Sequence, residues 1–284
     1  MTSHDDATAA AAFAGPGGSG AAAAGSETET AAGPAAAAVG ASPRAALITG
    51  GSRGIGLEIA RALAADGFAL TLSARSPEPL EAAAAELAAT GAQVIAVAAD
   101  ASEPDDLDRL LAAHEQRWGR LDALVMNAGM GHGSLIAETP LRRVDKHYTL
   151  NVRGTFALLS SALPLLRETA ASDPRGARVI ALASLAGLMA EPGLAAYSAT
   201  KAAVVSLCEA LCAEEGANGV SATAICPGYV DTDMAAWKHD EIPASEMIKA
   251  ADVAELAVSL TRLSRNAAVP VLAVHRAGGG LRGA

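Results

Sequence analysis

From Arg44 onward, short apolar runs alternate along the chain with longer stretches in which apolar residues recur at helical spacing. Helical stretches lie near residues 54–66, 77–90, 103–118, 140–170, 195–216 and 251–264. Runs that are apolar on both faces and alternate with helices are typical of a parallel sheet covered on both sides. The pattern predicts an α/β, doubly wound parallel sheet of about seven strands. The predicted strands are Ala45–Thr49, Ala69–Ser73, Gln93–Ala98, Ala123–Met126, Arg178–Ala183, Ser221–Ile225 and Val269–Val274.

The first 42 residues differ in composition from the rest of the chain. They are almost entirely Ala, Gly, Ser, Thr and Pro, and glycines and prolines interrupt the alanine runs. Phe13 and Val39 are the main apolar side chains that this segment could bury. So little burial does not offset the entropy of ordering the backbone. We predict a low-complexity, disordered tail over residues 1–42 and a folded domain over residues 43–284.

Composition and charge exclude several classes of function. Hydrophobic residues make up 51 % of the chain and aromatic residues only 3 %, so the core must be built from Ala, Val, Leu and Ile. The formal net charge is -10 without a basic cluster, which argues against a nucleic-acid partner because phosphate binding needs concentrated Lys and Arg. No apolar run reaches the roughly 20 residues that span a bilayer, so we expect no membrane-spanning segment.

Cysteine usage and the N-terminal residues bear on the compartment. Cys208, Cys212 and Cys226 are odd in number and lack paired spacing, which is not typical of a disulfide framework. The first Lys or Arg is Arg44, so the sequence shows neither a basic signal-peptide start nor an Arg-rich transit helix. We expect a reducing, cytoplasmic location. His, Cys and Asp residues nowhere show metal-ligand spacing, and we predict catalysis without a metal.

A glycine-rich turn joins the first predicted strand to the first predicted helix. Residues 49–56 read T-G-G-S-R-G-I-G. Glycines permit the tight turn and a close approach of the backbone to a pyrophosphate, while the helix N-terminus offers free N–H groups and a positive dipole end. The strand–turn–helix context predicts a dinucleotide-phosphate site. Its residues are Gly50, Ser52, Arg53, Gly54, Ile55 and Gly56.

The end of the second predicted strand indicates which dinucleotide is bound. An acidic residue there would bind a free ribose hydroxyl and repel a 2′-phosphate. The sequence instead reads S-A-R-S over residues 73–76, with no acid before Glu78. Arg75 can pair with a 2′-phosphate through a charge-assisted pair of hydrogen bonds. We predict NADP(H); the alternative is that Arg75 is only a surface residue.

Tyr197 and Lys201 lie four residues apart in a predicted helix and therefore share one face. A phenol titrates near pH 10, and a neighbouring ammonium favours the phenolate, so we expect Lys201 to lower the pKa of Tyr197. Such a tyrosine can exchange a proton with an alkoxide near neutral pH. Ser184 ends the fifth predicted strand, where active groups of open parallel sheets gather. Its hydroxyl can orient a substrate carbonyl.

Together these motifs resemble the short-chain dehydrogenase/reductase family over residues 44 to about 280. The turn spacing T-G-x-x-x-G-x-G matches the short, single-domain branch with its Rossmann-type fold, rather than the epimerase-like branch. The pattern is similar to that of 3-oxoacyl-(acyl-carrier-protein) reductases, including D-T-D-M over residues 231–234. The short segment 235–250 and the stretch 269–276 depart from those enzymes, which leaves fatty-acid synthesis in doubt.

The resemblance implies roles for further residues. Asn151 matches the fourth catalytic member, which holds a helix bend and supports a water-borne proton relay to Lys201. Asp100 matches the position that holds the adenine ring; the alternative is a turn residue before a helix. Arg53 lies in the glycine turn, where phosphate-selective members of the family often place a second cation. The family's N-A-G and P-G-x-x-x-T elements border the cofactor, which Tyr197 and Lys201 also contact. These elements supply Asn127, Ala128, Gly129, Pro227, Gly228, Val230 and Thr232.

The expected function is hydride transfer between NADP(H) and a carbonyl or alcohol, with Asn151, Ser184, Tyr197 and Lys201 as catalytic residues. A small ketone, a hydroxy acid, a polyketide and a pterin-like carbonyl remain open as substrates. One alternative is a catalytically silent, cofactor-binding sensor or scaffold; another is an epimerase or dehydratase with tightly held NAD. The resemblance also implies a homodimer or homotetramer. His132 is a rival acid–base residue for which two interpretations stay open, a place at the substrate mouth and a purely surface position, and we favour the surface position. We expect His147 on a helix surface.

Overall fold

A computed structural model describes residues 43–278, in which seven parallel strands form one sheet of order β3-β2-β1-β4-β5-β6-β7. The tail predicted over residues 1–42 lies outside the described residues, as does the end of the predicted folded domain. The predicted Rossmann-type, doubly wound sheet is confirmed. The strands are β1 Ala45–Thr49, β2 Ala69–Ala74, β3 Val94–Ala98, β4 Ala123–Met126, β5 Ala177–Leu182, β6 Val220–Pro227 and β7 Val271–Val274.

Helices cover both faces of the sheet. Helices α1, α2 and α7 enclose one apolar core, and α3, α5 and α6 enclose the other. Both cores consist mainly of Ala, Val, Leu and Ile, as the composition requires. No helix among residues 43–278 is long and apolar enough to cross a membrane. The α-helices are α1 Gly54–Ala65, α2 Pro77–Ala89, α3 Pro104–Trp118, α4 Leu141–Tyr148, α5 Thr155–Ser172, α6 Ala195–Glu215 and α7 Ala250–Thr261.

The strand order places a crevice at the carboxyl edge of the sheet. The chain runs outward from β1 to β3, returns, and continues outward from β4 to β7 on the other side. Strands β1 and β4 are therefore neighbours whose following helices lie on opposite faces of the sheet. In open parallel sheets such a switch point is where ligands bind. The glycine-rich turn after β1 lies at this point.

Several predicted elements differ from the observed ones in their bounds, and two of these differences have a clear physical reason. Strand β7 begins at Val271, two residues later than predicted; Pro270 lacks an N–H and contributes its carbonyl to Ala224 N at 2.9 Å. The helical stretch predicted over residues 140–170 is divided into α4 and α5 by a π-helical turn at Thr149–Gly154. A Cβ at Gly154 would overlap the carbonyl of Ala101, so only glycine permits this approach. The π turn contains Asn151.

Candidate active site

A cavity of about 150 Å³ lies at the carboxyl ends of β4, β5 and β6. Ser184, Tyr197 and Lys201 line it together. The wall is otherwise mainly apolar, and its remaining polar side chains include His132 and Glu191. Side chains from separate parts of the sequence meet here because all strands are parallel and their carboxyl ends share one edge.

The glycine-rich turn has the geometry of a phosphate cradle. Gly54 has φ +55°, a left-handed conformation that favours glycine. A Cβ at Gly56 would overlap the carbonyl oxygen of Gly50 and the amide of Asn127. Helix α1 begins at Gly54, and the side chain of Arg53 does not cap it. The N–H groups of the first turn are thus available to an anion, which fits a dinucleotide pyrophosphate.

Hydrogen bonds between Thr49 and Asn127 fix the turn against the end of β4. Thr49 Oγ1 accepts hydrogen bonds of 3.1 Å from the backbone N–H groups of Asn127 and Ala128. Asn127 Nδ2 donates to the carbonyl oxygens of Thr49 and Gly50, each at 3.0 Å. The Asn127 side chain therefore stabilises the conformation of the turn. Asn127 and Gly129 also line the cavity.

The predicted cofactor residues occupy one continuous edge of the sheet. Those in the cavity wall, besides Tyr197 and Lys201, are Ile55, Asn127, Gly129, Pro227, Gly228, Val230 and Thr232. The others follow the carboxyl ends of β1, β2, β3 and β4 outside the wall: Gly50, Ser52, Arg53, Gly54, Gly56, Arg75, Asp100 and Ala128. An extended ligand along this edge would meet both sets.

The charged residues of that edge differ in their present contacts. Arg75 is exposed, and residues 43–278 provide it with no hydrogen-bond or ion-pair partner. Arg53 forms an exposed ion pair of 3.1 Å with Asp233. Asp100 Oδ1 accepts hydrogen bonds from the backbone N–H and the hydroxyl of Ser102, at 2.9 and 2.7 Å. That oxygen thus stabilises the turn before α3, the alternative role considered for Asp100.

Tyr197 and Lys201 point from α6 toward the end of β5. Lys201 Nζ lies 5.7 Å from the centroid of the Tyr197 ring and donates a 2.5 Å hydrogen bond to the carbonyl of Leu182. Tyr197 interacts through a hydrogen bond with Ser184. Ser184 Oγ also accepts from Ala186 N at 3.1 Å, which fixes its position after the strand. Neighbouring backbone therefore holds the hydroxyl and the ammonium, and the hydroxyl in turn holds the phenol.

Burial dominates the acid–base properties of this pair. It raises the pKa of Tyr197, and the hydrogen bond with Ser184 lowers that pKa by less. Burial also lowers the pKa of Lys201 from its ordinary value of 10.5 to about 8. We expected Lys201 to lower the pKa of Tyr197, but that pKa is raised. Removal from water disfavours charge on both groups, and this effect is the largest one on Tyr197.

Asn151 links the loop after β4 to α6. Its Nδ2 donates to the carbonyl of Met130 at 2.9 Å and to Thr200 Oγ1 at 3.1 Å, while its Oδ1 accepts from Met130 N at 2.9 Å. A Cβ built on Gly129 would lie 3.3 Å from Asn151 Oδ1 and 3.5 Å from Lys201 Nζ. The π turn therefore places Asn151 beside the lysine, with its amide engaged by protein groups.

Comparison with known proteins identifies the family of this chain. The family model described as short chain dehydrogenase matches residues 44–242. The chain belongs to the short-chain dehydrogenase family. It is 35 % identical over 190 residues to a 3-oxoacyl-(acyl-carrier-protein) reductase of Synechocystis sp., covering 66 % of this chain and 75 % of that protein. The predicted resemblance to such reductases is thus confirmed at the level of sequence similarity.

Solved structures of other short-chain dehydrogenases share the fold. An alcohol dehydrogenase from Thermococcus sibiricus, complexed with 5-hydroxy-NADP, matches with a TM-score of 0.74 and 30 % identity over 81 % of this chain and 95 % of that chain. A 3-ketoacyl-(acyl-carrier-protein) reductase from Brucella melitensis, complexed with NADH, matches with a TM-score of 0.73 and 29 % identity over 84 % and 98 %. These two neighbours were crystallised with different nicotinamide cofactors.

Two features of this short-chain dehydrogenase site were missed from the sequence. Thr200 is fully buried and accepts the hydrogen bond from Asn151; its position next to Lys201 was the one available signal. Glu191 and Tyr229 meet in the cavity wall, where the Tyr229 hydroxyl donates to both carboxylate oxygens at 2.9 and 3.1 Å. They are 38 residues apart, and no sequence spacing predicts their pairing.

The two histidines have different surroundings. His132 is exposed and lines the cavity, so it occupies the less favoured of its two predicted positions. The expectation that His147 lies on a helix surface is wrong, because its side chain is fully buried. His147 Nδ1 lies 2.8 Å from the carbonyl of Arg143, one turn earlier in α4. Helix α4 packs against α6, which removes part of its surface from solvent.

Proposed function

We propose that this protein is an NADP(H)-dependent ketoreductase of the cytoplasm, which transfers a hydride between NADP(H) and a carbonyl or alcohol substrate. One observation carries the proposal: Ser184, Tyr197 and Lys201 line a single cavity that adjoins the glycine-rich turn. Tyr197, Ser184 and the glycine-rich turn lie at the same edge of the sheet, where they would serve as proton donor, carbonyl-orienting hydroxyl and dinucleotide cradle. This combination suits transfer of a hydride and a proton to the two ends of a carbonyl bond.

The chain's own residues would bind and orient the substrate. Ser184 and Tyr197 donate hydrogen bonds to the carbonyl oxygen and so favour the negative charge that develops there. Tyr197 then gives its phenolic proton to that oxygen. Lys201, with a pKa near 8, can restore the proton at ordinary pH. Asn151 positions the loop after β4 against α6 and so fixes the distance between these groups.

The cradle residues would hold the dinucleotide. The turn residues Gly50, Ser52, Gly54 and Ile55 would hold the pyrophosphate, with the uncapped N–H groups at the start of α1 as donors. Pro227, Gly228, Val230 and Thr232 border the cavity and would hold the nicotinamide end. The Thr232 hydroxyl bonds to the Val230 carbonyl at a long 3.3 Å, so it is readily redirected to a ligand. When bound, the nicotinamide supplies the hydride.

The preference for NADP(H) rests on the cations beside the second strand. Arg75 follows β2 and is exposed without a partner among the described residues, so its guanidinium is available to a 2′-phosphate. Arg53 is held by Asp233 in an ion pair between side chains that are 78 % and 80 % exposed. Exposed pairs contribute only about 0–1 kcal/mol, so a phosphate can replace Asp233 as the partner of Arg53.

The surface of α4 and α5 supports the proposed homodimer or homotetramer. Leu141 is 78 % exposed, Tyr148 43 % and Phe156 59 %. Such exposed apolar side chains on neighbouring helices are typical of interaction sites. Size-exclusion chromatography with light scattering tests this assignment. A mass of two or four chains is expected, and a monomer at micromolar concentration would refute it.

A substrate screen tests the proposed activity. NADPH absorbance is followed with a panel of ketones, and the same ketones are tested with the Tyr197→Phe variant. We expect turnover by the wild type and loss of nearly all turnover in the variant, with NADPH binding largely retained. Tyr148→Phe, which removes an exposed phenol outside the cavity, is the matched control. NADPH binding without turnover of any ketone would instead indicate the alternative, a cofactor-binding sensor or scaffold.

A further inference from the structure

The cavity wall contains one lysine, which belongs to the catalytic group, and one carboxylate, which does not. Lys201 is the only Lys or Arg among the described residues that line it, and Glu191 is the only Asp or Glu. The ammonium of Lys201 is directed to the Leu182 carbonyl and belongs to the catalytic group. Outside the catalytic group, the described residues of the wall thus offer a substrate one carboxylate and no arginine or lysine that could bind an anion.

Tyr229 holds the Glu191 carboxylate in the cavity wall. The Tyr229 hydroxyl donates to Oε1 at 2.9 Å and to Oε2 at 3.1 Å. The Tyr229 ring meets Trp237 edge-on, with centroids 6.0 Å apart. On the other side, Leu194 N donates to the Glu191 carbonyl at 3.1 Å and closes the turn before α6. Tyr229 therefore holds the carboxylate of Glu191, while the turn before α6 holds its backbone.

No positively charged partner accompanies this carboxylate. Within residues 43–278, Glu191 has no ion-pair partner and is only partly exposed. The ammonium of Lys238 lies 5.5 Å from the centroid of the Tyr229 ring, but it is paired with Glu241 at 2.6 Å. A carboxylate oxygen can accept two hydrogen bonds, and one Tyr229 hydroxyl leaves most of this capacity unused. A partly buried, uncompensated charge favours a donor or a cation in the neighbouring space and disfavours a second anion.

We propose that Glu191 is a specificity-determining residue that selects carbonyl compounds carrying an ammonium group and rejects those carrying a carboxylate. This inference rests on the proposed ketoreductase function and names the substrate class of the same cavity. Glu191 accepts hydrogen bonds from the ammonium, while the apolar side chains of Leu194, Met234 and Trp237 contact the substrate body. An anionic substrate would lose its hydration without gaining a positive partner.

A set of acetophenones that differ only in charge tests the proposal. The para substituents are aminomethyl, ethyl and carboxylate, which have similar sizes. Wild-type kcat/KM is expected to decrease in that order. Glu191→Gln should lower the ratio of aminomethyl to ethyl kcat/KM by about tenfold or more, the worth of a charge-assisted hydrogen bond. An equal ratio in both proteins, or a wild-type preference for the carboxylate, would overturn the proposal.

Two further variants separate charge from loop structure. Tyr229→Phe breaks the same link between the loops but keeps the Glu191 carboxylate, so the preference for the aminomethyl ketone should persist. Its loss in this variant as well would assign the effect to loop structure instead. Glu81→Gln removes one negative charge from exposed α2, outside the cavity wall, and should leave the substrate order unchanged.

A binding measurement distinguishes failure of this inference from failure of the proposed function. Trp237 lines the cavity, so tryptophan fluorescence reports binding of the three ketones, both to the protein alone and in the presence of NADP+. The same charge order in the dissociation constants, with its loss in Glu191→Gln, supports the selectivity even if no ketone is reduced. If the three ketones are reduced but their kcat/KM values and dissociation constants do not follow their charge, the proposed ketoreductase function stands and the proposed role of Glu191 is refuted.

Discussion

The side-chain amide of Asn151 donates a 3.1 Å hydrogen bond to the hydroxyl of Thr200, the residue that precedes Lys201 in α6. The Thr200 hydroxyl in turn donates to the carbonyl of Tyr197 at 2.7 Å. One buried hydroxyl thus connects the π turn to the backbone of the phenol-bearing residue. This connection helps to fix the position of Asn151 relative to Tyr197 and Lys201, which share helix α6.

Replacing Thr200 by Val should impair catalysis more than substrate binding. The change keeps the shape of the side chain but leaves a buried Asn151 N–H without its acceptor, at a cost of about 1–3 kcal/mol in the free energy of unfolding. A shifted π turn would lower kcat while KM changes little. Denaturant unfolding and steady-state kinetics measure both effects. Thr200→Ser keeps the hydroxyl and should restore kcat; an unchanged kcat in Thr200→Val would contradict the positioning role.

Replacing Lys201 by Met should remove a pH dependence of stability. The folded protein holds the pKa of Lys201 near 8, against 10.5 in the unfolded chain. Folding therefore disfavours the ammonium. The resulting loss in the free energy of unfolding is fully present below about pH 8 and disappears as the pH rises toward 10.5. Linkage predicts that Lys201 alone raises the free energy of unfolding by about 3 kcal/mol over that interval. Turnover should be lost in the variant at every pH.

Urea unfolding of both proteins between pH 7 and pH 10 provides the measurement. The difference in unfolding free energy, Lys201→Met minus wild type, should decrease as pH rises. The lost hydrogen bond to the Leu182 carbonyl shifts this difference by a constant amount and leaves its slope intact. A difference that is independent of pH would show that Lys201 keeps its ordinary pKa in the folded protein.

The sequence predicted the sheet well and the site only in part, for identifiable reasons. The bounds of strands β1 and β4 were predicted correctly because each apolar run ends at an abrupt change of residue type: the glycine-rich turn follows β1, and Asn127 follows β4. The resemblance implied a helix bend at Asn151, but the apolar pattern did not predict the π turn, since Leu150 and Val152 continue the apolar residues of the helical stretch through it. The pKa of Tyr197 was mispredicted because spacing places Lys201 nearby but does not reveal how deeply both groups are buried.

Acid should destabilise the fold through His114. Trp118 Nε1 donates to Thr71 Oγ1 at 3.0 Å, and Thr71 Oγ1 and the Arg120 carbonyl lie 2.8 and 2.9 Å from the two ring nitrogens of His114. A neutral ring that accepts from Thr71 and donates to Arg120 satisfies every group. Burial accordingly lowers the pKa of His114 from 6.5 to about 4.

The sign follows from proton uptake on unfolding. Between pH 6.5 and about 4 the unfolded chain binds a proton at His114 that the folded protein does not, so stability falls as pH falls, by about 3 kcal/mol in total. Unfolding free energies at pH 4 to 7 measure the slope. His114→Gln retains a donor toward Arg120 and should reduce the slope, whereas His132→Gln at the exposed cavity mouth should not. An equal reduction in both variants would remove His114 as the cause.

Reversing the charge of Arg75 should change the cofactor preference. If its guanidinium binds the 2′-phosphate of NADPH, Arg75→Asp replaces a charge-assisted hydrogen bond by repulsion. NADH instead has an uncharged 2′-hydroxyl, which can donate a hydrogen bond to the new carboxylate. The ratio of NADPH to NADH affinity should fall roughly 100-fold, mainly through weaker NADPH binding. Fluorescence titrations with both cofactors measure the ratio, and Arg142→Asp, an equal charge change on exposed α4, should leave it unaltered. Equal loss of NADPH and NADH binding in Arg75→Asp would show that Arg75 supports the turn after β2 rather than the phosphate.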